Sequence, residues 1–235
     1  MKHSLWVFPA AVAILSACSL FKPKTELIEY PKPDLKVNYQ YFVDQKILYG
    51  LETVPDVLQN MDLQYTIVGR VDDMLGGLDP DLPIISFSPF TFDHEVTQPA
   101  VYTAGCMGKY FYNYLVYLDG KVQLLSSAEE MANVYAPITS ENEALSFAMA
   151  LTGYHPLYDL EGHPDYEVLT SPLEESHVEK TADGYIVHLF DTDMCGCGPH
   201  ITPAVDVLVR PDGTVTEAAR YDAFRDPELD QVCFD

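Results

Sequence analysis

Basic residues are scarce in this chain. Its 235 residues contain 13 Lys and Arg against 36 Asp and Glu, which gives a formal net charge of −23 at pH 7. A potential of this sign repels phosphate backbones, so the composition predicts that nucleic acid is not a partner. It would favour cationic partners or divalent ions, but the favoured interpretation is that the charge keeps the protein soluble and monomeric.

The sequence also lacks the common motifs of catalytic and cofactor sites. It has no G-x-S-x-G elbow, no phosphate-binding loop, no dinucleotide fingerprint and no H-E-x-x-H pair. It contains no internal repeat of solenoid period and no low-complexity tract. We therefore expect a non-catalytic role, in binding or in structure, without a cofactor.

An apolar run over residues 5–17 stands near the N-terminus. It is too short to span a bilayer as a permanent helix, so residues 1–17 are predicted to be a removable export signal. The run ends in Leu15-Ser16-Ala17-Cys18, which resembles the lipobox of bacterial lipoproteins. This resemblance implies that Cys18 carries acyl chains, palmitate among them, which hold the protein on the lipid bilayer. The alternative is an ordinary signal peptide with Cys18 as an incidental thiol.

The residues after Cys18 bear on location and domain organisation. By resemblance to lipoproteins of hosts with two membranes, Ser19 in place of Asp implies delivery to the outer membrane, and the periplasmic side is favoured. Residues 18–36 contain three prolines and are predicted to form an extended tether. Residues 37–235 are expected to form one globular domain in the cell envelope, with an envelope protein as a candidate partner.

The pattern of strands and turns predicts an α+β fold. Sixteen Tyr and 11 Phe can fill a core and favour pleated surfaces. An aromatic strand over residues 110–118 is predicted to turn at Asp119-Gly120 into a strand over residues 121–125, which makes a hairpin. Two more hairpins are predicted nearer the C-terminus. The other predicted strands span residues 37–43, 63–71, 178–181, 185–190, 204–210 and 215–221.

Two short helices are predicted in mid-chain. Ser126 is expected to cap the first, and Ser140 the second, where Glu143 completes a capping box and Gly153 ends the helix. Residues 83–101 contain three prolines and are expected to form irregular loops and edge strands. The predicted fold is thus an antiparallel sheet built from hairpins, with two helices in mid-chain and disulfide bracing.

The order of elements from residue 140 to residue 221 is a helix followed by an antiparallel meander. This order resembles the small helix-on-sheet modules of the PepSY or cystatin-like type found in exported bacterial proteins. The resemblance rests on element order and carries no diagnostic motif. It implies binding or inhibition rather than catalysis.

Four cysteines remain when Cys18 is set aside. An even number in an oxidising compartment predicts two disulfides. A bridge within the Cys195-Gly196-Cys197 segment would be strained, so each of its cysteines is expected to bond to Cys106 or Cys233. We favour Cys106 with Cys195 and Cys197 with Cys233, and the sequence leaves the reverse pairing open.

A metal or redox site is the alternative for the same segment. Cys195, Cys197 and His200 could hold Cu(I) or Zn²⁺ through soft ligands, and a Cys-Gly-Cys bridge would be easily reduced. Metal binding needs reduced thiolates, which an oxidising compartment removes. Disulfides are therefore the favoured interpretation.

Two other groups contain side chains of metal-ligating type. The first is a glycine-containing loop with Asp72, Asp73, Asp79 and Asp81. Its spacing does not match an EF-hand, so a solvated acidic turn is favoured over a Ca²⁺ site. The second group is His155, His163 and His177. Its spacing matches neither a helix nor a strand, so it is a weak indication of zinc.

Tyrosines over residues 102–117 and the loop over residues 154–172 are the predicted contact surface. Loops often carry function, and exposed aromatic side chains anchor interfaces. The alternative is that these tyrosines fill the core.

Overall fold

The computed structural model describes residues 26–48, 51–163 and 165–234. The predicted leader and Cys18 lie outside these residues. The described strands are β1 Leu27–Ile28, β2 Thr66–Gly69, β3 Ile84–Thr91, β4 Tyr102–Ala104, β5 Lys109–Leu118, β6 Lys121–Leu125, β7 Glu167–Val168, β8 Leu173–Glu174, β9 His177–Lys180, β10 Tyr185–Phe190, β11 Gly196–Cys197, β12 Ile201–Val209, β13 Val215–Arg225 and β14 Cys233–Phe234. The described α-helices are α1 Gln40–Asp44, α2 Ala128–Tyr135 and α3 Glu141–Thr152. No helix in these ranges is long and apolar enough to cross a membrane.

The first sheet has the order β2-β3-β5-β4, and β6 also pairs with β5. Strand β5 pairs with β4 near its start and with β6 near its end, both antiparallel. The predicted β5–β6 hairpin is confirmed. Asp119 and Gly120 have φ values of 53° and 78°, the left-handed conformation that a two-residue hairpin turn requires at both positions.

Two predictions in the N-terminal half are wrong. Residues 37–43 do not form a strand, because residues 40–44 close into helix α1, which places Phe42 in an apolar cluster beneath the first sheet. Residues 83–101 are not only loops and edges, since β3 lies between β2 and β5. Pairing of β3 with β5 is interrupted at Ser88 and Pro89, where the proline offers no N–H, and it resumes at Phe90.

The two mid-chain helices begin and end close to the predicted positions. Helix α2 is capped by Ser127, one residue after the predicted Ser126, whose own N–H and hydroxyl donate to the Glu130 carboxylate. Helix α3 has the predicted capping box of Ser140 and Glu143. It ends at Gly153, which has a φ of 73°.

The second sheet has the order β7-β13-β12-β10-β9 and is antiparallel. It contains both hairpins predicted for the C-terminal part, β9–β10 and β12–β13. Helix α3 packs between the two sheets, since its Ala144 and Ala148 share one core cluster with Val116 of β5 and Val205 of β12. The buried Ser146 of α3 donates to the Met74 carbonyl at 2.5 Å and accepts from the Gly77 N–H at 3.0 Å.

Residues 26–36, which the sequence assigned to a tether, contact the folded body. Strand β1 pairs in parallel with β8, and Tyr30 stacks on His177 with ring centroids 3.9 Å apart.

Two disulfides brace the fold, Cys106–Cys195 and Cys197–Cys233. This is the pairing favoured from the sequence. The first links the β4–β5 loop of the first sheet to the segment after β10 of the second, and the second joins β11 to β14. The predicted fold class, an α+β fold of antiparallel sheets with disulfide bracing, is confirmed.

Candidate functional site

A cleft of about 250 Å³ lies between the two sheets at the C-terminal end of α3. Strands β4 and β5 form one wall, through Tyr102 and Tyr112, and Asp191 and Asp193 form the other. The base is the segment from Thr152 to His155. A second pocket of about 210 Å³ adjoins the first and shares its tyrosines and its base. We call the two adjoining pockets together the clamped cleft.

The aromatic wall is built by cross-strand pairing. Tyr102 of β4 lies directly opposite Tyr112 of β5, and their rings stack with centroids 4.6 Å apart and planes within 7°. Tyr110 and Tyr114 flank Tyr112 at a spacing of two residues, which places them on the same face of β5. The Tyr114 hydroxyl is buried and donates to the Ala150 carbonyl of α3 at 2.9 Å. The row of tyrosines therefore leads from the core into the cleft.

These tyrosines are not exposed as the predicted contact surface required. Tyr114 is buried, and the other tyrosines of residues 102–117 are half-buried. Burial raises the pKa of Tyr102 well above its ordinary value. The hydroxyl is therefore neutral at physiological pH, and the cleft presents aromatic faces and O–H groups on this side.

A β-bulge in β13 positions Arg220, which pairs with Asp191 of the opposite wall. Glu217 of β13 pairs with Val207, and Ala219 pairs with Asp206, the residue before Val207 in β12, so Ala218 has no cross-strand partner. Residues three apart normally lie on opposite faces of a strand, and one extra residue returns them to the same face. Here it brings Arg220 to Glu217, with Nε 3.1 Å from Oε1.

Arg220 connects the second sheet to the base of the cleft. Its Nη1 donates to Asp191 Oδ2 at 2.9 Å, and its Nη2 donates to the Tyr154 hydroxyl at 2.5 Å. The Tyr154 hydroxyl donates in turn to Glu217 Oε2 at 3.0 Å. Hydrogen bonding from Arg220 lowers the pKa of Glu217. The network therefore holds Tyr154 in place and sets one guanidinium group between two carboxylates.

Asp193 is the carboxylate that this network does not include. It takes part in none of the ion pairs found in the described part of the chain. Reduced solvation raises its pKa, the negative charge of Asp191 adds to the shift, and His155 opposes it. A cation in the cleft would favour the ionised form of Asp193.

The Cys106–Cys195 disulfide holds the two walls together. Cys106 lies two residues after β4, and Cys195 lies two residues after Asp193. The base is fixed independently, because His155 and Phe190 exchange two backbone hydrogen bonds, each 2.9 Å long. The width of the cleft is therefore set by one covalent bond and one backbone bridge.

The alternative metal or redox site at residues 195–200 has no free thiolate in this structure. Both of its cysteines are in disulfides with distant partners. His200 is buried, and its Nε2 donates to the Val232 carbonyl at 2.9 Å. Its ring lies against Phe234 of β14. His200 therefore fastens the C-terminal segment.

The acidic loop and the three loop histidines do not converge on metal sites. Asp72 accepts from the Met74 N–H at 2.8 Å and caps a short 3₁₀ helix. His155 lies in the clamped cleft, His163 stacks on Tyr166, and His177 stacks on Tyr30. In the ranges that the structure covers, no group of three or more His, Cys, Asp or Glu side chains is arranged to hold a metal ion.

The Tyr154–Arg220–Glu217 network was missed in the sequence. Its members are 63 or more residues apart or depend on the bulge at Ala218, and no short motif reports either feature. The pair of His188 and Asp206 was also missed. These residues are cross-strand partners in β10 and β12, with Nδ1 and Oδ1 2.7 Å apart. Knowing that β10 pairs with β12 would have revealed them.

Comparison with known proteins adds no relative. No protein-family model matches the chain, and neither a curated protein nor a solved structure matches it significantly.

Proposed function

We propose that this chain is an exported, membrane-anchored lipoprotein with a non-catalytic binding role, and that the clamped cleft binds a cationic group. The lipobox-like segment ending at Cys18 supports the anchor, and the host's outer membrane, facing the periplasm, is the proposed location if the host has two membranes. Two disulfides are typical of proteins in an oxidising compartment. The ligand is an ammonium or guanidinium group, carried by a small molecule or by a side chain of an envelope protein.

One observation carries the binding proposal: two stacked tyrosine rings line the same cleft as a carboxylate that takes part in none of the ion pairs of the described residues. Aromatic faces attract cations electrostatically, and carboxylates form charge-assisted hydrogen bonds with them. Tyr102 and Tyr112 supply the faces, and Asp193 supplies the charge. The net charge of −23 adds long-range attraction for a cationic ligand.

The geometry favours binding over hydrolysis. Within the described residues, the hydrogen bonds that histidine rings make go to backbone carbonyls or to Asp206. A nucleophile activated by an imidazole would need a hydroxyl or thiol within hydrogen-bond reach of the ring. The groups of the cleft are instead suited to recognition.

The binding proposal is tested by titrating argininamide and citrullinamide into the oxidised protein by calorimetry. The two probes have nearly the same shape, and citrullinamide carries a neutral urea in place of the guanidinium. Argininamide should bind more tightly, and its affinity should fall as salt is added. Equal affinities, or no binding of either probe, would refute a cation site.

The matched variants are Asp193→Asn and Asp183→Asn. Both remove one negative charge without changing side-chain shape, and Asp183 lies in the β9–β10 turn, at the other end of β10 from the cleft. Asp193→Asn should weaken argininamide binding by about three- to tenfold, as expected for one exposed charge pair. Asp183→Asn should leave it nearly unchanged. Equal losses in both variants would show that net charge, and not the cleft, attracts the probe.

The anchor is tested separately by the intact mass of protein extracted from membranes. A mass that includes acyl chains on residue 18, lost together with membrane association in Cys18→Ser, supports the lipoprotein proposal. An unmodified residue 18 would overturn it.

A further inference from the structure

Residues 26–33 form a strap across the second sheet. The Leu173 N–H donates to the Glu26 carbonyl at 2.8 Å, and the Glu175 N–H donates to the Ile28 carbonyl at 2.9 Å. Tyr30 lies flat on His177, with ring planes within 12°. We call this segment the N-terminal strap. Its contacts include this backbone pairing, the aromatic stack and a hydrogen bond that the Tyr30 hydroxyl donates to Glu174 Oε2 at 3.3 Å.

A buried carboxylate lies beneath the strap. Glu175 is only 3% exposed. Its Oε2 accepts from the Tyr30 N–H at 3.1 Å, and its Oε1 accepts from the Leu160 N–H at 2.8 Å. A buried charge is costly unless hydrogen bonds replace its lost solvation. The strap and the loop that contains Leu160 therefore each supply one of the donors that Glu175 needs.

The start of the same loop forms part of the base of the clamped cleft. We call residues 154–162 the cleft loop. Tyr154 and His155 lie in the cleft at its start, and Leu160 reaches Glu175 near its end. In between, Leu157 exchanges hydrogen bonds with Ser176, whose hydroxyl accepts at 2.9 Å. Residues 155–160 therefore connect the cleft to the Glu175 carboxylate, which accepts a hydrogen bond from the strap.

A second contact joins the strap to the cleft loop. Tyr158 of the loop and Tyr30 of the strap line the same cavity of about 160 Å³. The Lys32 ammonium group lies 5.9 Å from the centre of the Tyr158 ring. Burial raises the pKa of Tyr158 to about 12, so the ring that Lys32 faces is neutral.

We propose that docking of the N-terminal strap and ordering of the cleft loop are coupled through Glu175. Release of the strap removes the Tyr30 N–H and leaves one buried carboxylate oxygen without a donor. Water then reaches that oxygen, and a hydrated carboxylate holds the Leu160 N–H less firmly. The cleft loop is therefore less ordered between Leu160 and its start at Tyr154 and His155 in the cleft. Coupling of this kind is reciprocal, so a ligand that holds the cleft loop also tightens the strap. The regulatory meaning rests on the proposed function of the cleft, whereas the coupling is measurable without a ligand.

Hydrogen exchange with mass spectrometry on the full-length oxidised protein tests the coupling. Tyr30→Pro removes both the ring and the N–H that Glu175 accepts, and Tyr30→Ala removes the ring alone. Residues before a proline favour extended backbone, and proline itself adopts that conformation, so proline is expected to be tolerated at this position before Pro31. The difference between the two variants therefore reports the hydrogen bond to Glu175.

We expect exchange in residues 154–162 to be about tenfold faster in Tyr30→Pro than in Tyr30→Ala, the effect of one hydrogen bond to a charged acceptor. Exchange in β6 should be the same in both. Faster exchange confined to residues 173–175, with residues 154–162 unchanged, would overturn the coupling.

Faster exchange throughout β6 would reveal that Tyr30→Pro unfolds the protein. In that case a measurement on the unaltered protein tests the coupling. Saturating argininamide should then slow exchange of the Leu173 and Glu175 amides beneath the strap. Binding of argininamide without that protection would refute the coupling and leave the cleft function standing. A cleft loop that responds to the strap in a protein that binds no argininamide would refute the function and leave the coupling standing.

Discussion

Substitution of Gly153 by alanine probes how α3 positions the aromatic wall. Gly153 ends α3 with a φ of 73°, and a Cβ built there would lie 2.4 Å from Cε2 of Tyr102. Alanine therefore meets two penalties. A left-handed backbone costs about 1–2 kcal/mol for a residue with a Cβ, and overpacking costs about 1–3 kcal/mol more. Gly153→Ala should thus lower the free energy of unfolding by about 2–5 kcal/mol.

Gly120→Ala is the matched control. Gly120 has a φ of 78°, and a Cβ there would have no neighbour within 4 Å. This variant meets only the backbone penalty and should cost about 1–2 kcal/mol. Urea unfolding of both variants, with disulfides intact, measures the difference. Losses of stability that agree within error would refute the contact between α3 and Tyr102. If the contact is real, Gly153→Ala should also weaken argininamide binding, while Gly120→Ala should not.

Three further changes have defined outcomes. Replacing Cys106 and Cys195 by alanine should lower the free energy of unfolding by about 4.6 kcal/mol through loop entropy, and replacing Cys197 and Cys233 should lower it by about 3.8 kcal/mol, as measured by urea unfolding. Calorimetry should find that argininamide binding is lost only in the variant without Cys106–Cys195. Equal loss of binding in both would contradict the clamp. Ser146→Ala removes the hydrogen bonds of the Ser146 hydroxyl with the Met74 carbonyl and the Gly77 N–H and should cost about 1–3 kcal/mol in urea unfolding; a neutral result would contradict the role of Ser146 as a bridge. Arg220 lowers the pKa of Glu217 in the folded protein. The stability that the Arg220–Glu217 pair contributes is therefore present above the ordinary carboxylate pKa, and it is lost as the pH falls through the lowered pKa of Glu217. The stability gap between the protein and Arg220→Gln should therefore shrink on acidification, and a gap that widens would contradict the pairing.

Features that depend on neighbouring residues could be predicted from the sequence. The Asp119-Gly120 turn needs two positive φ values, and the capping box of Ser140 and Glu143 is a local exchange of hydrogen bonds. Both are encoded within four residues. Local geometry also excluded a bridge within residues 195–197, whereas it did not distinguish the observed pairing from the reverse one.

Features that depend on distant pairing could not be predicted. Pro89 favoured loops and edge strands over an interior strand. Strand β3 accommodates the proline because Ser88 and Pro89 do not pair with β5. Residues 37–43 have the alternation of a strand, but burial of Phe42 beneath the first sheet favours a helical turn there. In both cases a tertiary contact outweighed local preference.

The candidate site was visible from the sequence only in parts. The sequence indicated its parts separately: the tyrosines near residue 112 and the loop after residue 154 as a contact surface, and the segment around Cys195 as a site of disulfides. Their convergence depends on the Cys106–Cys195 bond and on α3 ending between the two sheets. The bulge at Ala218, which turns Arg220 toward Tyr154, could not be predicted from the pattern of residues.

Nuclear magnetic resonance of the protein with ¹³C-labelled tyrosine rings locates the site where a cation binds. Stepwise addition of argininamide should shift the ring signals of Tyr102 and Tyr112, assigned through their phenylalanine variants. The signal of Tyr65, which immediately precedes β2 and is 69% exposed, should stay unchanged. Citrullinamide at the same concentrations should shift none of the three. Shifts at Tyr65 but not at Tyr102 and Tyr112, or no shifts at all, would contradict a cation site in the clamped cleft.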